Sequence, residues 1–180
     1  MRRLAVRAPG ALRVSARRLS ADGPKRYTLT TVAEGSTSLS RTATGHDIRT
    51  DLPRASGGSD ANAEPVYLLL SALAACESAT LRYVAFKSTP RVRIARVDFD
   101  LSAHRDEAGA LQLPIDVEPA VPSRLLGIAG SVRVQTDASE SQLAALAKQV
   151  HARCPVANMV MASGCKLDLT FIKADLPPRR

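Results

Sequence analysis

The feature that most constrains the fold is a 22-residue segment, residues 65–86, that contains no glycine and no proline after Pro65. Proline is favoured in the first turn of a helix, so the segment predicts a helix of roughly 33 Å. Its first half is apolar all round, which is typical of a helix buried on every side. Glu77, Arg82 and Lys87 follow and predict a more polar far end. We therefore expect a domain built around one long buried central helix.

Two classes of partner are excluded by the distribution of apolar and charged residues. The apolar run 65–76 stops at Glu77 and is shorter than the roughly 20 residues that span a bilayer, which predicts a soluble chain with no membrane partner. The formal net charge is +8, but six of the 25 Lys and Arg residues lie within residues 1–21, leaving 19 against 17 acidic residues. A folded body so nearly neutral, with three Phe, three Tyr and no Trp, does not favour nucleic-acid binding.

Residues 1–21 form a leader of distinct composition, with six arginines, no acidic residue and scattered apolar side chains. That composition is typical of a mitochondrial transit peptide and lacks the continuous apolar core of a secretory signal. A disordered basic tail, or a misassigned start in a bacterial protein, would give the same pattern. We accordingly divide the chain into a leader, residues 1–21, and one domain, residues 22–176, and expect it in the mitochondrial matrix. The cytoplasm is the alternative if the leader is not a transit peptide.

Short β segments flank the predicted helix. Three of them precede it, separated by turns at Gly35 and Gly45, and are predicted to form a small antiparallel meander. A loop rich in Gly, Ser, Pro and Asn leads from the meander into the helix. After the helix, a long alternating strand changes phase in a way that predicts a bulge near Ala95 and Arg96. The predicted strands cover residues 26–33, 38–43, 46–51, 91–105, 111–117, 131–135 and 166–172, and the loop covers residues 52–63.

Two helices are predicted near the end of the chain. Asp137 followed by Glu140 is a capping signature, and apolar residues then recur at helical spacing to about Arg153. Cys154 and Pro155 open a second, shorter helix, with Cys154 at the cap and Pro155 at the first position. Strand groups on either side of one long helix indicate an α+β domain with antiparallel sheets, and not the alternating order of a parallel doubly wound sheet.

The chemistry of the chain is predicted to rest on thiols. Its three cysteines form no C-x-x-C pair and its three scattered histidines give no metal-ligand spacing, so neither a metal nor another cofactor is expected. The local sequence favours the thiolate form at Cys154, because the start of a helix stabilises a thiolate and His151 and Arg153 add positive charge. Cys76 lacks such local help. Core packing is the alternative for Cys76 and Cys154, and for Cys165 it is the expectation.

Three segments carry a resemblance to a known family. The segment GGSDANAEPVYLLLSALAACESATLR has a Gly-Gly loop, a proline and then a helix that contains Cys76. It is similar to the signature of the OsmC/Ohr family, the osmotically inducible protein C and organic hydroperoxide resistance proteins. HARCPVANM, which contains Cys154, resembles the family's second cysteine segment, and TATGHDIRTDLPRASGG resembles its third strand and loop. The resemblance covers residues 26–174.

The resemblance implies an OsmC-like fold in an intertwined homodimer, and a thiol peroxidase that acts on organic hydroperoxides. Cys76 would be the peroxidatic thiolate that is oxidised to a sulfenic acid, and Cys154 the resolving thiol that condenses with it to a disulfide. A dithiol or a lipoylated protein would be the reductant, which suits a mitochondrial matrix, and no metal, haem or flavin would be needed.

In active members of the family, a glutamate one or two positions after the proline orients an arginine over the peroxidatic thiolate. Val66 and Tyr67 occupy those positions here, and Arg41, Arg49 and Arg54 are left open as replacements for the arginine. Two alternatives therefore stand beside the peroxidase. One is a non-catalytic member that binds an apolar or acyl ligand or senses redox state through its thiols, and the other is a protein whose cysteines are all structural.

Overall fold

The structure is a computed structural model that describes residues 23–176. The predicted leader lies outside the described residues, so the transit peptide and the mitochondrial location stay predictions. The described part is an α+β chain, as predicted. Its elements are β1 (Leu29–Glu34), β2 (Thr37–Thr42), β3 (Asp47–Thr50), a 3-10 turn (Arg54–Ser56), α1 (Pro65–Lys87), β4 (Ile94–Arg105), α2 (Ala108–Leu111), β5 (Leu125–Thr136), α3 (Glu140–Arg153), α4 (Pro155–Ala162) and β6 (Lys166–Ala174).

Helix α1 is the predicted central helix, with Pro65 at its first position and one residue more at its end than expected. Its buried side chains form one stripe at intervals of four residues, which places them on the same face. They are Leu73, Glu77, Leu81 and Ala85. Within a single chain the helix is therefore buried along one face and not on every side. The opposite face leaves large apolar side chains such as Tyr83 and Phe86 exposed, and Tyr67 and Leu69 are exposed elsewhere on the helix.

The length and composition of α1 also meet the requirements for a membrane span, which the apolar run 65–76 by itself does not. The core helix of a globular domain meets the same requirements. Glu77 stands in the middle of α1, and the helix packs along α3, α4 and β4 of the same chain.

Two three-stranded sheets make up the β structure. The first has the order β1-β2-β3 and is antiparallel throughout, as the meander predicts. The second has the order β4-β5-β6, and its β4–β5 pair is also antiparallel, with an irregularity between Ile94 and Arg96 that confirms the predicted bulge. The β5–β6 pair is parallel, because α3 and α4 carry the chain back across the sheet between those strands.

The predicted strand at residues 111–117 is wrong. Its apolar residues alternate, but the segment holds only the end of α2 and then irregular chain, and its apolar side chains are exposed. Prolines at 114, 119 and 122 supply no amide hydrogen to a sheet, which prevents a regular ladder. Strand β5 instead starts at Leu125 and so begins six residues before the predicted strand 131–135.

Helix α3 begins with a different cap from the one predicted. Ser139 is the N-cap, its hydroxyl accepts a hydrogen bond from Gln142 N at 3.1 Å, and Gln142 Oε1 accepts one from Ser139 N at 2.8 Å. This is a complete capping box. Asp137 instead accepts a hydrogen bond from Arg93 N at 2.8 Å and ties the start of β4 to the end of β5.

The loop before α1 is held together by one buried carboxylate, that of Asp51. It accepts hydrogen bonds from Ser36 Oγ (2.8 Å), Leu52 N (2.8 Å), Ser59 N (3.2 Å), Ser59 Oγ (2.5 Å) and Ala61 N (3.0 Å). These donors, the Ser59 hydroxyl first among them, hold the pKa of Asp51 far below its ordinary value. A Cβ at Gly58 would overlap the carbonyl of Leu52, so the loop also requires that glycine.

Two apolar clusters form the core, and α1 joins them. The first is centred on Leu81, Ala85, Val132, Leu143 and Val150. The second is centred on Leu73, Ile128, Cys154, Ala157 and Cys165, with Cys76 at its edge. Glu77 lies on α1 between Leu73 of the second cluster and Leu81 of the first, so a carboxylate stands at the boundary between the two.

Candidate functional site

The two predicted thiols meet in the second core cluster. Cys76 is half-buried on α1, and Cys154 is fully buried at the N-cap of α4, in the same apolar cluster and near enough to Cys76 for that thiol to raise its pKa. Both are free thiols, and so is Cys165, which is buried as expected of a packing residue. The fold therefore brings together two cysteines that are 78 positions apart in the sequence, one accessible and one enclosed.

The helix start does not make Cys154 a stabilised thiolate, contrary to the prediction. Ala157 N donates to Cys154 Sγ at 3.4 Å, which lowers the pKa of the thiol as expected at a helix cap. Burial has the larger effect, and with Cys76 and Glu77 nearby it raises the pKa of Cys154 to about 11. The local pattern indicated the cap correctly, but it carried no information about the apolar cluster that encloses the sulfur.

Glu77 is far more buried than its place at the start of the predicted polar end of α1 indicates. It was expected at a polar far end of α1, yet it is 1% exposed, and neither carboxylate oxygen has a hydrogen-bond partner. Burial raises the pKa of Glu77, and the charge of His151 and the thiol of Cys154 lower it only in part. The signal that would have found it is spacing, because Glu77 stands four residues from both Leu73 and Leu81 on the buried face.

The two cationic side chains predicted beside Cys154 point in different directions. His151 Nδ1 lies 3.8 Å from Glu77 Oε1, and the imidazole ring, 29% exposed, packs edge-on against Phe171 with 5.9 Å between ring centres. Arg153 turns away, since its Nε donates to Gln149 Oε1 at 3.2 Å. His151 thus contacts the buried carboxylate, and Arg153 adds nothing to the thiol pair.

The three candidate arginines lie on the first sheet or in its exposed connections. Arg41 pairs with Asp47 through hydrogen bonds of 2.7 and 3.0 Å, Arg49 lies on β3, and Arg54 lies in the 3-10 turn. No interaction joins any of the three to Cys76 in the part of the chain that the structure describes. Val66 and Tyr67 also offer no carboxylate, so the family's arginine and glutamate have no counterpart at this site within residues 23–176.

An apolar cavity of about 470 Å³ lies between α1 and α4. Leu69 and Ala72 form its α1 wall, two turns and one turn before Cys76, and Val156 and Met159 form its α4 wall, shortly after Cys154. Arg124 supplies the charge at the wall, and its guanidinium donates a long hydrogen bond of 3.4 Å to Leu125 O. Among residues 23–176, no group of three or more His, Cys, Asp or Glu side chains is arranged to hold a metal ion.

Known structures share this architecture. An OsmC-like protein from Mycoplasma pneumoniae is 24% identical, with 83% of this chain and 98% of that chain covered and a TM-score of 0.66. An organic hydroperoxide resistance protein from Legionella pneumophila is 18% identical over 82% and 96% of the two chains, with a TM-score of 0.60. The organic hydroperoxide resistance protein OhrB of Bacillus subtilis is 16% identical over 82% and 98%, with a TM-score of 0.58. These likenesses show the fold.

At the level of sequence, the OsmC-like protein family matches residues 57–170, which is well over half of the chain. No curated protein matches the sequence. The family match spans the Gly-Gly loop, α1 with Cys76, and α4 with Cys154 at its cap. The chain belongs to the OsmC-like protein family.

Proposed function

We propose that the protein is a thiol-dependent peroxidase that reduces organic hydroperoxides, with Cys76 as the peroxidatic residue and Cys154 as the resolving residue. One observation carries the proposal: the half-buried Cys76 and the enclosed Cys154 lie in the same apolar cluster, and the Cys76 thiol is near enough to raise the pKa of Cys154. In the proposed order of events, a peroxide reaches the accessible Cys76 sulfur first, and the neighbouring Cys154 sulfur then reacts with the product. Two similar structures, named as organic hydroperoxide resistance proteins, point to the same substrate class.

The proposed reaction has three steps. The Cys76 thiolate attacks the distal oxygen of the hydroperoxide, the O–O bond breaks, the alcohol leaves with a proton, and Cys76 becomes a sulfenic acid. Cys154 then forms a disulfide with Cys76 and releases water. An external dithiol, free or as a lipoyl group on a protein, reduces the disulfide by thiol–disulfide exchange and becomes a disulfide itself. The thiols carry the whole cycle, so the proposed reaction uses no cofactor.

The cavity between α1 and α4 supports an organic substrate over hydrogen peroxide. Its α1 wall lies on the same helix as Cys76, within two turns of it, and is apolar. Binding an alkyl or aryl group there removes apolar surface from water, which stabilises a bulky hydroperoxide near the sulfur and gives no advantage to a small polar one.

The same cavity also favours a second candidate function, the binding of an acyl ligand without catalysis. Arg124 is a guanidinium with no carboxylate partner among the described residues, and it stands at the wall of an apolar space. A carboxylate head and an apolar tail would complement both features. Peroxide turnover separates the two candidates, because a pure binding protein would carry such a ligand and leave the thiols unchanged.

We further propose a homodimer in which the exposed face of α1 packs against a second copy of the chain. Tyr83 and Phe86 are exposed on that face, Tyr67 and Leu69 are exposed elsewhere on α1, and the first sheet packs against none of the helices to any substantial extent within residues 23–176. Apolar exposure on this scale is typical of an interface between subunits.

The mitochondrial matrix is the location that we propose, with the cytoplasm as the alternative.

Treatment with one equivalent of cumene hydroperoxide tests the proposed function. We expect the purified, reduced protein to consume the peroxide and to yield a Cys76–Cys154 disulfide in a peptide map under non-reducing conditions. Hydrogen peroxide at the same concentration should react more slowly. A map in which Cys76 remains a thiol after prolonged exposure to the bulky peroxide would rule out the peroxidase and leave the acyl-binding function.

A further inference from the structure

Cys154 needs a base before it can act as a resolving residue. The thiolate is the nucleophile in disulfide formation, and burial raises the pKa of Cys154 to about 11. At pH 7 roughly one molecule in ten thousand would then carry the thiolate. The sulfur is 0% exposed, so hydroxide from solvent does not reach it directly. Any proton that leaves Cys154 has to pass first to a neighbouring group of the protein.

Glu77 is the group in a position to accept that proton. Its carboxylate is enclosed at 1% exposure, neither oxygen is engaged in a hydrogen bond, and it interacts with the Cys154 thiol. A buried carboxylate without a hydrogen-bond partner is costly, and structures rarely retain one without a reason. Burial also raises the pKa of Glu77, which makes its carboxylate a stronger base than an exposed one.

His151 connects that carboxylate to solvent. Its Nδ1 is 3.8 Å from Glu77 Oε1, and 29% of its side chain is exposed. The edge contact with Phe171 holds the ring between the carboxylate and water. Phe171 of β6 and Val97, Phe99 and Ala103 of β4 pack on the two core clusters beside α1. His151 and Cys154 are the ionisable groups that act on the pKa of Glu77.

We propose that Glu77 is the general base of the resolving step and that His151 exchanges its proton with solvent. Glu77 takes the proton from Cys154 Sγ, and the thiolate electron pair forms the S–S bond with Cys76 Sγ. The S–O bond of the sulfenic acid breaks, and the departing hydroxide receives a proton from the Glu77–His151 pair and leaves as water. The inference rests on the proposed thiol chemistry of Cys76 and Cys154, and it assigns this chain a catalytic carboxylate beside the peroxidatic cysteine.

Thiol exchange with dithiobis(nitrobenzoate) tests Glu77 without any peroxide. In full-length Cys165→Ser protein, the reagent reacts first at the accessible Cys76 and releases one thionitrobenzoate. Attack by Cys154 on that mixed disulfide releases the second and reports its deprotonation directly. We expect Glu77→Gln to slow the second phase by about 100-fold and to leave the first within about threefold. Glu118→Gln, which neutralises an exposed loop carboxylate, should change neither phase.

Two further readouts separate a base from a structural residue. The deficit of Glu77→Gln should shrink as pH approaches the Cys154 pKa of about 11, because a growing share of the thiol is then ionised without the carboxylate, and Glu77→Asp should recover most of the rate. A second phase that is unchanged in Glu77→Gln, or a deficit that is the same at every pH, overturns the inference. With cumene hydroperoxide, Glu77→Gln should accumulate a sulfenic acid that dimedone traps. If the unsubstituted protein consumes no peroxide, the peroxidase proposal fails, and the exchange experiment still decides the role of Glu77.

Discussion

Replacing Cys76 by serine is expected to abolish the turnover of organic hydroperoxides, with a loss on the order of 10³-fold or more. A serine hydroxyl has no low-pKa form that attacks a peroxide at neutral pH. Cys154 does not take over the attack, because it is fully buried and its pKa is raised to about 11. The measurement is the steady-state consumption of cumene hydroperoxide with a dithiol as the reductant.

Cys154→Ser should fail at a different step. Its Cys76 is unchanged, so one equivalent of peroxide is consumed rapidly, and the protein then stops as a sulfenic acid that dimedone labels. Cys165→Ser is the matched control and should keep turnover within a few-fold, since Cys165 is buried and takes no part in the proposed cycle. Full activity in Cys76→Ser, or loss of activity in Cys165→Ser alone, would contradict the assignment of the pair.

Glu77→Gln is expected to stabilise the protein at neutral pH by roughly 1–3 kcal/mol, because the amide keeps the shape of the side chain and removes the cost of burying a charge. Burial raises the pKa of Glu77 above its ordinary value of 4.5, so the folded state binds a proton more tightly than the unfolded state does. Stability therefore falls as pH rises from 4.5 through the raised pKa, and the penalty is fully present above it. The amide that replaces the carboxyl group carries no charge, so the variant does not lose stability in this way as pH rises.

Urea unfolding between pH 4 and pH 8 measures the effect. The difference in the free energy of unfolding between Glu77→Gln and the unsubstituted protein should be small near pH 4 and grow toward neutral pH. Glu118→Gln is the control, because its carboxylate is exposed and its removal should leave the pH profile unchanged. A Glu77→Gln protein that is less stable at pH 7 would show that the carboxylate makes a stabilising interaction with His151. If Glu77 serves catalysis at a cost in stability, Glu77→Gln should be more stable and should form the disulfide more slowly.

Much of the fold can be predicted from local sequence patterns. Pro65 and the long run without glycine predict α1 almost to the residue, and the change of phase near Ala95 predicts the bulge in β4. The segment 111–117 shows the limit of the same reasoning. Its alternation is that of a strand, but the prolines at and after position 114 remove the donors that a sheet requires, and the chain stays irregular there.

The site depended on both kinds of information. The two cysteine motifs mark Cys76 and Cys154, and the cap geometry of Cys154 with Pro155 is a local property that the sequence predicts correctly. The direction of the Cys154 pKa shift is not local, because the apolar side chains that enclose the sulfur come from α1, β5 and β6. A favourable helix cap and an unfavourable burial act on the same atom, and only the packing decides which is larger.

The long apolar helix α1 also shows which features are local and which depend on packing. Its composition by itself determined that a central helix exists, where it starts and that it must be covered by other elements. The tertiary structure decided which face α3, α4 and β4 cover, and that face contains Glu77. Helical periodicity places a residue on a line with its neighbours at four-residue spacing, whereas burial requires partners that lie tens of residues away. For that reason, the role that we propose for the Glu77 carboxylate follows only from the tertiary structure, which places His151 and Cys154 beside it.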